Sequence, residues 1–125
     1  GGRLRAGEAR KMLQSAMSLA AGVVRTAEGL TNGLKVIADI RARGISVDAR
    51  GVGYAIETLN MLDVGEAVLQ ACLERRESRG PHLFFADSKT IVPMERSPKM
   101  EKYIVLSLQS GRLATEWREP VRKFE

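Results

Sequence analysis

The apolar positions fall into three blocks with a helical rhythm. From about Glu8 to Ala21, Met12, Leu13, Ala16, Met17, Leu19 and Ala20 recur at helical spacing, and Gly22 is a natural stop. Thr26 then offers an N-cap, with Glu28 in the first turn where the helix dipole favours an acid. A second helix is expected from there to about Arg43. Leu30, Leu34, Ile37 and Arg41 mark its stripe, and Val36 and Ile40 widen it. Gly29 and Gly33 lie inside this helix at a cost of up to about 1 kcal/mol each against Ala. Both are expected to permit close approach of a neighbouring helix. Arg41 and Arg43 suit the last turn, and Gly44 suits the residue after it.

A glycine-rich connector, Ile45 to Gly53, carries Ser46 and Asp48 as candidate caps. The third block predicts a long helix from about Tyr54 to Arg79. Leu59, Leu62, Leu69 and Leu73 form one row, while Met61, Val64, Val68 and Cys72 fill adjacent faces. Apolar coverage this wide predicts a central, mostly buried helix ended by Gly80-Pro81.

Beyond Pro81 the rhythm is lost. Leu83 to Lys99 reads as an extended, wrapping loop. Tyr103–Leu108 is β-prone, Ser110-Gly111 is a turn signal, and Leu113–Trp117 follows, which predicts a β-hairpin over about 103–118. The expected fold is therefore mainly α: an antiparallel, spectrin-repeat-like three-helix bundle over residues 8–80, then a tail over residues 81–125 with the hairpin, all in one domain. A two-stranded hairpin is barely stable alone, so it must pack on the bundle or on something outside this chain.

Composition agrees with a packed helical core. Hydrophobic residues make up 44% of the 125 residues and aromatic ones only 5%, so Leu, Ile, Val, Ala and Met must build the interior. A net charge of +5 is compatible with nucleic acid, an acidic partner or an anionic substrate, and selects none of them. Most cations stand beside Glu or Asp and read as solvated helix faces; Arg3, Arg5, Arg10 and Lys11 are the densest group. One cysteine, Cys72, and one histidine, His82, exclude an intrachain disulfide and cannot alone hold zinc or an iron–sulfur cluster. No signal peptide and no membrane-length apolar run is evident, so a cytoplasmic setting is expected. The opening glycines suggest a cut or processed start.

Little in the chain reads as chemistry. Gly51-Val52-Gly53 lacks a preceding strand, a third glycine and a βαβ context, so it reads as a turn at a helix start rather than a phosphate loop. Cys72 reads as a buried structural thiol, and the ten positions between it and His82 do not bring the two together. The most informative stretch is Arg75-Arg76-Glu77-Ser78-Arg79-Gly80-Pro81-His82. Its arginines are expected in the last turn of the third helix, either as simple capping or as a helix end that presents Arg79 and His82 to a neighbouring domain or an anion.

Glu77-Ser78-Arg79-Gly80-Pro81-His82 resembles the Glu-Ser-Arg-Gly-x-His motif near the C-terminus of fumarate reductase and succinate dehydrogenase flavoproteins, a motif similar to one in L-aspartate oxidases. Gly22-Val23-Val24-Arg25-Thr26-Ala27-Glu28-Gly29-Leu30 is similar to the family's Gly-Ile-Val-Arg-Thr-x-x-x-Leu junction. Ala67–Arg76 matches the helix before the motif, Lys102 a lysine in the family's Trp-Leu-Lys-His segment, and Gly111–Pro120 its closing strand and proline. The chain departs from the pattern at Leu83–Asp87, where acids are usual, and at Met100 and Tyr103, where Trp and His are common.

The resemblance implies a three-helix domain following the FAD-binding and capping domains of an oxidoreductase. In that family the flavin-binding glycines, main substrate residues and proton-donating arginine lie upstream. No catalytic or cofactor-binding residue therefore carries over, and the fragment alone is expected to be inactive and to bind no FAD. Arg25, Glu77, Arg79 and His82 are expected to make interdomain contacts. The implied partners are the flavin-binding domain of the same polypeptide and an iron–sulfur subunit, the latter holding the protein peripherally at the inner face of a membrane. An exposed apolar patch is expected where the flavin domain packs. Two other classes compete: a basic helical nucleic-acid-binding module, and a small all-helical enzyme whose arginines converge on an anionic substrate.

Overall fold

A computed structural model of the chain describes residues 2–22, 24–79, 82–87, 89 and 92–121. The element order is β1 (Leu4–Arg5), α1 (Ala6–Ala20), α2 (Ala27–Arg43), β2 (Ile45–Ser46), α3 (Val52–Glu74), a single 3₁₀ turn (Pro98–Met100), β3 (Tyr103–Gln109) and β4 (Arg112–Arg118). The expected mainly-α fold with a C-terminal hairpin is what the chain adopts.

Side-chain pairings give the helix directions. Arg41 of α2 binds Asp63 and Glu66 of α3 at 2.7 and 2.8 Å, while Gly33 lies against Leu69. Positions ascending along α2 thus meet positions descending along α3. Arg10 of α1 meets Tyr54 and Thr58 near the start of α3, so α1 and α3 run together and α2 runs against both. Leu13, Leu30, Ile37, Ile40, Leu62 and Leu69 form the centre of the core. Each such side chain contributes about 1.5–3 kcal/mol of burial.

The local signals on α2 hold. Thr26 Oγ1 accepts from Gly29 N at 3.0 Å, and Gly44 closes the helix at a φ of +78°. Gly33 is a true close-approach site: a Cβ there would lie 2.8 Å from Ala20 Cβ and 2.9 Å from Leu69 Cδ1. Gly29 is not. A Cβ there would meet only Thr26 Oγ1, its own cap, at 3.1 Å.

Besides Gly29, three expectations fail. Asp48 does not cap α3; its Oδ2 accepts from Gly7 N at 3.1 Å, in the first turn of α1. The connector is not strandless, because Ile45–Ser46 pairs in parallel with Leu4–Arg5 and ties the chain start to the end of α2. The third failure is α3, which is buried along one narrow face only: Ala55, Thr58, Leu62, Gly65 and Leu69. Three of these five are small or hydroxylic, so α1 and α2 close in tightly and leave the flanks outside. Ile56, Leu59 and Val64 are about half exposed or more, at 52%, 48% and 64%. No described helix is long and apolar enough to cross a membrane.

The hairpin pairs in the register Tyr103↔Arg118 to Gln109↔Arg112 and turns at Ser110-Gly111, with both turn residues at positive φ. No hairpin side chain is fully buried. Its base is fixed by Trp117, whose Nε1 donates to Glu74 at 3.0 Å. Its tip leaves Leu108 75% exposed.

Candidate functional site

The helix that was expected to reach Arg79 stops at Glu74, and Arg75 is already extended at φ −90° and ψ 90°. Consequently no arginine stands in the last turn of α3. The expected stop at Gly80-Pro81 lies outside the described residues. The extended chain after Glu74 serves the Glu77 carboxylate. Arg75, Glu77 and Arg79 alternate, so an extended chain puts all three on one side. A helix would keep Arg75 and Arg79 together and turn Glu77 away from both.

Glu77 is fully buried. Its Oε1 accepts from Arg75 Nη1 and Arg79 Nε, both at 2.6 Å, and its Oε2 accepts from Arg79 Nη2 at 3.2 Å and from the Ser97 backbone N–H. Burial by itself raises the Glu77 carboxyl, but the bonds from Arg79, Ser97 and Arg75 together with the Arg79 charge outweigh it and hold the pKa at about 2. The two arginines then reach onward. Arg79 Nη2 donates to Ser97 O at 3.0 Å, and Arg75 donates to Met100 O at 2.9 Å and to Lys102 O. Arg75 also lies over the Trp117 ring, 4.8 Å from its centre. One buried carboxylate thus fastens the loop and the hairpin base to the end of α3. Every buried side-chain polar atom described has a partner.

His82 completes a second connection. Its backbone pairs with Arg79 in both directions, at 2.8 and 3.0 Å. Arg25 Nη1 lies 2.7 Å from His82 Nδ1, and His82 Nε2 lies 2.9 Å from Arg75 O. A guanidinium can only donate and a carbonyl can only accept. The imidazole is therefore neutral, with its proton on Nε2. Burial lowers the His82 pKa, and the Arg25 and Arg75 charges add to that against the hydrogen bond to Arg75 O.

Arg25 is anchored from behind. Its Nε and Nη2 donate at 3.3 Å to Gly22 O and Ala21 O at the end of α1, where the dipole favours a cation. Its own carbonyl accepts from Phe85 N at 2.7 Å, which leads the buried Phe84 and Phe85 into the core margin.

Arg25 Nη1 also approaches Cys72 Sγ at 3.7 Å. The structure therefore brings Cys72 and His82 to one guanidinium, against the expectation from their separation in sequence. Burial raises the Cys72 thiol above its usual range, with Arg25 opposing, so the group facing Arg25 is a thiol rather than a thiolate. These groups line a cleft of about 490 Å³ that Lys102, Tyr103 and Ile104 wall from the hairpin side. The arginines do converge, as the anionic-substrate reading required. Yet the donors of Arg25, Arg75 and Arg79 are directed at the protein's own acceptors, so the cleft is not built to grip an anion.

Sequence reasoning singled out Arg25, Glu77, Arg79 and His82 and missed Arg75, Ser97 and Trp117. The alternation Arg75-Glu77-Arg79 was the available signal for the first of these. Ser97 and Trp117 arrive through the tertiary path of the tail, which no local pattern encodes.

Gly51-Val52-Gly53 does not build a dinucleotide loop. Gly51 opens α3 at a φ of +93° after a strand, contrary to expectation, but that strand has only two residues and no third glycine follows. Among the described residues no group of His, Cys, Asp and Glu could hold a metal ion.

Residues 10–90 match the family model for the fumarate reductase flavoprotein C-term. A comparison with curated proteins finds no match. Among solved structures, a chain of Escherichia coli quinol fumarate reductase is similar at 21% identity and a TM-score of 0.78, covering 99% of this chain and 22% of that one. Mycobacterium smegmatis Sdh1 in complex with UQ1 is similar at 23% identity and a TM-score of 0.81, covering 96% and 21%. Adenylylsulfate reductase from Archaeoglobus fulgidus is similar at 17% identity and a TM-score of 0.80, covering 98% and 20%. At these identities the likeness establishes the fold, and the chain spans about a fifth of the length of the solved chains it matches.

Proposed function

Because the chain belongs to the family of fumarate reductase flavoprotein C-terminal regions, we propose that it is the docking domain of an FAD-dependent oxidoreductase and packs against the flavin-binding domain of the same polypeptide. The observation that carries this reading is the Arg25–His82 cleft with the open hairpin beside it. It is a surface whose polar groups are bonded to one another around the buried Glu77 carboxylate.

Each candidate residue then has a distinct part. Glu77 acts from within, holding Arg75 and Arg79 rigid. Arg79, His82 and Arg25 shape the cleft wall that the flavin domain meets. Arg suits that position, because its planar fork stays charged and holds carbonyls and carboxylates in fixed directions. The reading assigns residues 8–80 to the bundle and residues 81–125 to the tail, both within one domain.

FAD belongs to the parent polypeptide, and this chain alone binds none and transfers no hydride. An iron–sulfur subunit serves as electron partner and holds the protein at the inner face of the membrane from the cytoplasm. The anionic-substrate enzyme loses ground because the converging arginines are already engaged. The nucleic-acid module loses ground because no helix among the described residues offers clustered polar readers.

Titration of flavin fluorescence with this chain tests the reading. No saturable change is expected, whereas tight, stoichiometric FAD binding would contradict it.

A further inference from the structure

One face of α3 carries three clefts in a row. Near its start, Arg5, Lys11 and Arg50 surround a polar cleft of about 730 Å³, with Tyr54 between Arg10 and Arg50 at 3.5 and 5.0 Å. In the middle lies an apolar groove of about 540 Å³ between α1 and α3, floored by Leu13, Met17, Met61, Val64 and Val68. Toward the helix end the same face continues through Ala71 and Cys72 into the Arg25–His82 cleft, which Arg75 borders just past the last turn. On a helix, positions 57, 61, 64, 68, 71 and 72 share a single side. The clefts therefore form one track along much of a helix of 23 residues, about 34 Å long.

We propose that this track receives a helix from the remainder of the same polypeptide, apolar along its buried face and acidic at both flanks. Three observations select that occupant. The groove's walls come, among the described residues, from α1 and α3 alone, the geometry in which a fourth helix completes a bundle. Its floor presents apolar side chains at i and i+4 on both helices, Leu13 with Met17 and Val64 with Val68, which matches a partner helix with anchors at i, i+3 or i+4, and i+7. The two methionines adapt the floor to such anchors.

Charge restricts the occupant further. At one end Lys11 and Arg5 stand exposed beside Glu8, with Asp48 paired to Arg50 at 3.4 Å. At the other Arg25 borders the cleft with Lys102, which pairs with Glu119 at 3.3 Å. Glu57 on the rim is paired with Arg10 at 3.2 Å, so cations remain in excess at both ends. An acid-flanked helix is attracted at both ends and a basic one is repelled. The source follows from continuity. The groove runs into the cleft assigned above to the flavin-binding domain, and the matched solved chains hold about four fifths of their length outside the part this chain covers. The inference rests on that docking reading.

Photo-crosslinking in the full-length protein separates the two. A benzophenone side chain is placed at Val64, on the groove, and in a second variant at Tyr103, on the Arg25–His82 cleft; both positions are exposed, at 64% and 45%, so folding is undisturbed. The expected result is that the Val64 probe captures a helix of the same polypeptide with apolar anchors and acidic flanks, and that Lys11→Glu lowers the yield about threefold or more by repelling one flank. Capture of a second copy, of another protein, or of nothing at Val64 overturns the groove inference. If the Tyr103 probe still captures the flavin-binding part, the docking reading survives that failure. If neither probe captures it, both fall.

Discussion

The bundle and the tail are held by opposite means. In the bundle, Leu30, Ile37, Ile40, Leu62 and Leu69 are almost fully buried, and the glycines Gly33 and Gly65 let the helices meet. In the tail, the hairpin buries no side chain fully, and its attachment passes through one carboxylate, Glu77, and the arginines it organises. Apolar packing is spread over many contacts and tolerates the loss of one. A buried ionic clamp fails as a unit, because removing one partner leaves charges buried without their complement. The bundle is thus a scaffold, and the tail is a conditional attachment with one face still uncovered.

The sharpest test of this contrast is Glu77→Ala. It is expected to cost about 3–5 kcal/mol and to act mainly on the tail. Trp117 fluorescence should lose its structured environment while far-UV helicity persists. Loss of helicity in step with Trp117 would show that clamp and bundle are one cooperative unit. The complementary change, Leu62→Ala, should cost about 2–5 kcal/mol and lower the melting temperature of the helices themselves.

Acid provides a graded version. The Glu77 pKa is depressed in the folded state from 4.5 to about 2, so its stabilisation is fully present above about pH 4.5 and is lost as pH falls toward 2. The tail signal should follow that window in the native chain and lack it in Glu77→Gln. His82 titrates at higher pH with the same sign. Its pKa is lowered from 6.5, so its contribution is complete above about 6.5 and declines below as a proton on Nδ1 confronts Arg25. NMR of the imidazole nitrogens should show the Nε2–H tautomer at neutral pH; the Nδ1–H tautomer would contradict the Arg25 bond.

The smallest expected effect is Thr26→Ala, about 1 kcal/mol from loss of the α2 cap, seen in the bundle melt and not in the tail.

The same division governs what was legible in the sequence. Thr26, Gly44 and the Ser110-Gly111 turn are local signals, satisfied by neighbours within four residues, and they read correctly. The end of α3 misread because its controlling partner, the Ser97 backbone, lies 20 positions from Glu77. The exposure of Ile56, Leu59 and Val64 misread because an apolar row does not reveal whether its cover lies inside the chain. The motif residues Glu77, Arg79 and His82 were visible through resemblance, whereas their joining with Arg25, Cys72 and Trp117 needed three dimensions.

Amide hydrogen exchange, compared between this chain and the full-length protein, bears most directly on the docking role. The expected result is equal protection of α1, α2 and the buried face of α3 in both, with hairpin residues 103–118 exchanging at least about tenfold more slowly in the full-length protein, where the open face is covered. Equal protection of the hairpin in both would mean that nothing docks there, and would contradict the account.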